Sequence, residues 1–178
     1  MPFLTVMQSY FRGERIESLG FILPFGVFCL AIAWAAVRAE RNAFGWGFAV
    51  PVALIALVCV SVGAGVGLRT PGQIQRLSAQ VQEDPKAFLA EEIPRMEQVN
   101  RNWPTYRVAW IAFVVIGAAL RFVLRADWAH GAGIGLMFMG AGGIIIDGFA
   151  ERRAMVYMEA LRALSVQHGG APSPAEGG

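Results

Sequence analysis

Carboxylates placed where an apolar stretch meets a polar one can hold a cation or pass a proton, and this chain has four of them. Glu14 and Glu17 open the stretch "ERIESLGFILPFG", and Asp147 and Glu151 close the stretch "GGIIIDGFAE". Ionisable groups at the edge of a membrane span are functional candidates by default. Arg69, Arg107, Arg152 and Arg153 fall at boundaries of the same kind, so a second reading competes. Opposite charges there form ion pairs that fix how helices leave the membrane, each worth roughly 0–1 kcal/mol at a wet surface. The chemical reading makes Glu17 and Asp147 the mouth of an ion pathway. The structural reading makes all eight residues a boundary charge cluster that holds helices or a partner.

Little else in the chain could do chemistry. Neither His130 nor His168 belongs to an HxxxH or HExxH pattern, and there is no GxSxG or phosphate-binding glycine loop. Cys29 and Cys59 each sit near the middle of an apolar block and read as small apolar fillers rather than a redox or metal pair. No catalytic residue, metal ligand or cofactor is expected, and the expected class is non-enzymatic. A net charge of +2 gives no footprint for nucleic acid.

The elements that must position the carboxylates follow from hydropathy. The chain has 178 residues, 56% hydrophobic and 16% charged, against ~45–50% and ~25% in soluble domains. The excess falls in four blocks, about 19–37, 46–68, 108–124 and 129–149. Each is long enough to cross a ~30 Å hydrocarbon layer as a helix, the form that satisfies its own backbone there. A cleaved signal peptide is the rival reading of the first block, and the acidic residues at its edge argue against it. The expected fold is an all-α membrane protein: four transmembrane helices in two antiparallel hairpins with a small cytoplasmic helical layer.

Eleven basic residues lie in the N-terminal segment, the 69–107 connection and the C-terminal segment, and four (Arg38, Arg41, Arg121 and Arg125) lie toward the other side. The positive-inside rule puts both termini in the cytoplasm, as expected for a multi-pass protein of a bacterial inner membrane. Trp34, Trp46 and Trp128 would mark the outer interface, and Trp103, Tyr106, Trp110 and Tyr157 the inner one.

The polar parts carry their own patterns. In 69–107, Asp84 and Pro85 read as a helix cap and first turn. Leu89, Ile93 and Met96 form an apolar stripe with Glu92 and Arg95 among the polar residues around it. Pro94 is expected to kink or interrupt that helix, and "NWP" at 102–104 reads as a turn. Span four continues past the membrane over 150–166. There Ala150, Ala154, Tyr157, Leu161 and Leu164 make a seam that needs a partner, either the loop helices or a second subunit. The apolar face of 3–10 is expected to lie along the membrane surface. Gly63 and Gly67, and a stripe of Gly131, Gly135 and Gly143, are expected to bring helix backbones close. Residues 1–168 form one domain in this reading, and 169–178 form a disordered tail.

Two functions fit. The first is a protein that acts through contacts: an accessory or assembly subunit, a regulator or an immunity-type factor, with a protein partner or a second copy alongside the lipid bilayer. The second is a small homo-oligomeric ion channel or transporter with Glu17 and Asp147 at its cytoplasmic mouth.

Overall fold

A computed structural model describes residues 2–169. No strand occurs among them. The helices are α1 (Pro2–Glu17), α2 (Leu23–Ala39), α3 (Ala43–Glu83), α4 (Pro85–Val123) and α5 (Asp127–Gln167), with a π turn at Ser18–Ile22 joining α1 to α2. Counted from Phe3 through the π turn, the described residues form four helices of 37, 41, 39 and 41 residues, each long and apolar enough to cross a membrane. At ~1.5 Å per residue they measure roughly 55–60 Å, about twice the thickness of the hydrocarbon layer. Apart from Gly169, the expected disordered tail lies outside the described residues.

The polar connection 69–107 is helix almost throughout, which corrects the expectation of a loop with interrupted helices. Asp84 alone separates α3 from α4. Its Oδ1 accepts from the backbone N–H groups of Lys86 (3.1 Å) and Ala87 (3.0 Å), and Pro85 opens α4 as expected. Pro94 and Pro104 lie inside α4, so neither the interruption at Pro94 nor the turn at 102–104 is present. A helical proline leaves the carbonyl four residues earlier without its donor. Pro94 and Ala90 both lie on the exposed face, where water can take that carbonyl, so the helix runs on.

Pro24 acts differently. It stands at the start of α2, and the Leu23 N–H reaches back five residues to the Ser18 carbonyl. Pro24 cannot donate to Gly20, and the backbone widens into a π turn just before it. Gly63 of α3 sits against this widened turn: a Cβ there would lie 2.8 Å from the Leu23 nitrogen and 2.9 Å from the Ser18 oxygen.

Helix α2 packs on α3, α3 on α5, and α5 most extensively on α4, so α2 and α4 stand at the two ends of the series. Within the apolar segments the core is small: Cys29, Ala33, Ala49, Val52, Ala56 and Met139. A second core lies in the polar half and joins Phe3, Met7, Tyr10 and Phe11 of α1 to residues of α3, α4 and α5. Helix α1 therefore does not lie along a membrane surface. Its apolar face finds Tyr157 and Phe88, which bury it better than a lipid boundary would.

Glycine sets the helix spacing. Gly131 and Gly135 of α5 meet Phe44, Phe48 and Val52 of α3, whereas Gly143 meets the Trp110 ring of α4. The three do not share one interface, because a four-residue step drifts ~40° around a helix and three steps drift ~120°. Gly67 packs on Leu19. Gly117 of α4 and Gly133 of α5 touch backbone to backbone: a Cβ on Gly117 would lie 2.6 Å from the Gly133 oxygen. Gly117→Ala is expected to destabilise the fold by about 1–3 kcal/mol, as overpacking does. Gly65 faces open space, and Gly65→Ala is expected to gain up to ~1 kcal/mol from helix propensity. Unfolding in detergent compares the two. Equal midpoints for both variants would contradict the close α4–α5 contact.

Candidate functional site at the membrane boundary

The boundary carboxylates arrive from α1 and α5, and their partners follow from the helix neighbours. Arg153 of α5 lies across Gly13, where a Cβ would stand 2.9 Å from its Cδ. From there its guanidinium reaches the Glu17 carboxylate in a mostly buried ion pair. Glycine at position 13 thus opens the path for the arginine. Between α4 and α5, Arg107 Nη2 donates to both oxygens of Glu151 at 2.7 and 2.6 Å. One turn further into the apolar segment, the Trp110 indole N–H donates to Asp147 Oδ2 at 2.6 Å.

Four of the eight expected cluster residues are therefore brought into direct pairs, Glu17 with Arg153 and Glu151 with Arg107. Asp147 takes a neutral donor instead of an arginine. Arg69 is exposed and makes no ion pair among the described residues. Its charge, with those of Arg95 and Arg153, partly offsets the burial that raises the Glu14 carboxyl above its usual range. Arg152 is exposed and lines a groove between α1 and α5.

The expected seam is filled within the chain. Ala154, Tyr157, Leu161 and Leu164 are buried among Phe3, Met7, Phe11, Phe88, Leu89 and Met96, with Ala150 half-buried at the seam's upper end. Tyr157 belongs to this core and not to an interfacial belt. It stacks on Tyr10 with ring centres 4.6 Å apart and lies edge-on to Phe11 at 5.7 Å.

The polar centre of this layer comes from the residues beside the apolar stripe of α4. Glu92 is buried. It accepts from Arg95 Nε (2.7 Å) and Nη2 (2.6 Å), and the Tyr157 hydroxyl donates to it at 3.0 Å. The Arg95 guanidinium also stands 5.9 Å from the centre of the Phe11 ring, within cation–π range. A signal was present: Glu92 lies four residues from both Phe88 and Met96, on the stripe those two define. Burial pushes the phenols of Tyr10 and Tyr157 well above their usual range, and the Glu92 carboxylate adds to the effect at Tyr157. Tyr157 therefore stays protonated and remains a donor.

Among the described residues no group of three His, Cys, Asp or Glu side chains could hold a metal ion. His130 lies in the first turn of α5, where Nε2–H donates to the Leu124 carbonyl at 2.8 Å and closes the end of α4. Comparison with family models, curated proteins and solved structures finds no match to the chain.

Tyr157→Phe removes one donor from a buried carboxylate and leaves the ring stack in place. It is expected to lower stability by about 1.5–3 kcal/mol, the usual worth of a hydrogen bond to a charged group, read by denaturant unfolding in detergent. A change under ~0.5 kcal/mol would show that the hydroxyl does not support Glu92.

Glu14 gives a pH-dependent test. Its folded pKa is raised by burial, so the folded chain holds this proton more tightly than the unfolded chain. The associated stability is present at low pH and is lost as pH rises through the raised pKa. Glu14→Gln is therefore expected to be more stable than the parent near pH 7, with the difference vanishing below about pH 4, the ordinary carboxyl range. The opposite sign at neutral pH would mean that the surrounding arginines outweigh burial.

Proposed function

We propose that this chain is a multi-pass protein of a bacterial inner membrane that acts through contacts, as an accessory or assembly subunit, a regulator or an immunity-type factor, and not as an enzyme. In this reading α2 with α3, and α4 with α5, form two antiparallel hairpins, and the second core is a cytoplasmic layer. Support for the orientation comes from the distribution of basic residues, eleven against four, under the positive-inside rule. Trp34, Trp46 and Trp128 are all exposed toward the opposite end, as an interfacial belt requires.

The observation that carries the reading is where the packing lies. Among the described residues the layer outside the apolar segments buries fourteen hydrophobic side chains and the apolar segments bury eight, six of them in one cluster. The larger buried cluster thus lies in the layer that a protein partner in the cytoplasm would meet. The seam at 150–164 is occupied internally and no longer argues for a partner. The outer faces of the layer take that role.

One observation favours the channel or transporter reading. Asp147 has no basic partner among the described residues, as a cation-binding carboxylate at a pathway mouth would require. Glu17, by contrast, is neutralised by Arg153.

Mass spectrometry of the protein gently extracted from its native membrane separates the two. A distinct protein in fixed ratio is the expected result. A closed homo-oligomer without companions counts against an accessory subunit, a regulator or an immunity-type factor for another protein. Loss of ion flux in liposomes from Glu17→Gln and Asp147→Asn, with the fold intact, would then establish the second.

A further inference from the structure

Where α1 and α5 part, a groove of about 420 Å³ opens between them. Its α5 wall carries Arg152, Arg153 and Val156, and its α1 wall carries Thr5, Val6 and Ser9. One feature of this wall is unbalanced. Arg152 is exposed and makes no ion pair among the described residues. Arg153 is committed to Glu17, and its buried Nε lies against Gly13. The groove therefore offers a free positive charge on its α5 wall, with the hydroxyl-bearing residues Thr5 and Ser9 on its α1 wall.

The depth of the groove identifies the occupant. Arg152 and Arg153 lie three and four residues beyond the apolar segment that ends near residue 149, a rise of roughly 5–6 Å along the helix. The headgroup layer of a bilayer is ~5–8 Å deep on each side of the hydrocarbon. Both arginines thus stand at phosphate depth. Toward the hydrocarbon, on the same helix stripes as Ser9 and Arg152, come Ile16, two turns from Ser9, and Phe149, one turn from Arg152, both more than 60% exposed. An apolar track leads from the bilayer to a pair of arginines, and a cavity with hydroxyl-bearing walls continues beyond them.

We infer that this groove is a binding site for one anionic phospholipid. The phosphate rests on Arg152, a hydroxylated headgroup occupies the cavity beside Ser9, and the acyl chains descend past Ile16 and Phe149. Basic pockets between membrane helices hold anionic headgroups by the same charge complementarity. The site rests on the membrane-spanning reading of the four helices, and in the orientation proposed above it faces the anionic cytoplasmic leaflet.

The test uses the full chain in nanodiscs of phosphatidylcholine, with phosphatidylglycerol titrated in and bound lipid counted by native mass spectrometry after release. Arg152→Gln removes the free charge, and Ser9→Leu fills the cavity without touching charge. Arg162→Gln is the control, an exposed arginine on α5 well beyond the headgroup layer. One tightly retained phosphatidylglycerol is expected on the parent, with about fivefold weaker retention in Arg152→Gln, the worth of one basic residue at an anionic surface. A comparable loss is expected in Ser9→Leu, and none in Arg162→Gln.

Equal retention of phosphatidylcholine overturns the proposal, as does an equal loss in the Arg162 control or no loss in the Arg152 and Ser9 variants. Failure of the chain to enter nanodiscs at all would instead count against the spanning helices. That outcome is read separately, from detergent-free solubility.

Discussion

The fold depends on how closely α5 approaches two helices at once. Without water between them, helices in a bilayer gain little from the hydrophobic effect and must be held by contact, so backbone proximity decides the arrangement. Helix α5 presents Gly131 and Gly135 to α3 and Gly133, Gly140 and Gly143 to α4. A helix with a glycine face on each side can serve as the shared member between two neighbours. The pairings at the boundary follow from that placement, because Arg107, Trp110 and Glu17 meet α5 side chains whose height and angle the glycine contacts have already set.

Beyond the apolar segments the balance of forces reverses. Water is present, aromatic area can be buried, and α1 returns to cover α5 with Phe3, Met7, Tyr10 and Phe11. The buried Glu92 is tolerated because Arg95 and Tyr157 supply donors to its carboxylate. A buried ion pair of this kind is weak evidence for stability, since desolvation offsets much of its attraction. Its clearer effect is on geometry: the carboxylate is satisfied only when α4 and α5 are in register, which ties the layer to the helices above it.

How much of this could be read from residues alone depended on the kind of signal. The four apolar spans were legible because twenty apolar residues in a row have few other uses. The Asp84–Pro85 cap was legible because its chemistry is local. The continuous helix through Pro94 and Pro104 was not, because whether a proline breaks a helix depends on which face it occupies, a property of the packed chain. The boundary charges were legible as a group, whereas their pairing was not: Glu17 finds Arg153 through the space left by Gly13, and Asp147 finds an indole instead of a guanidinium. The burial of Glu92 was not legible because polar residues beside an apolar stripe usually face water, and only its i±4 relation to Phe88 and Met96 distinguishes it.

The π turn at Ser18–Ile22 holds one residue more than a regular helix would need to cover the same rise. That surplus advances everything before it by about 100° relative to everything after it. The first helix must show one azimuth to α3 in hydrocarbon, through Gly26, Cys29 and Ala33, and another to the aromatic layer in water. A straight helix has one phase and could satisfy only one of these demands. The extra residue works as a gear tooth between two solvents, and Pro24 keeps the tooth from slipping along the chain.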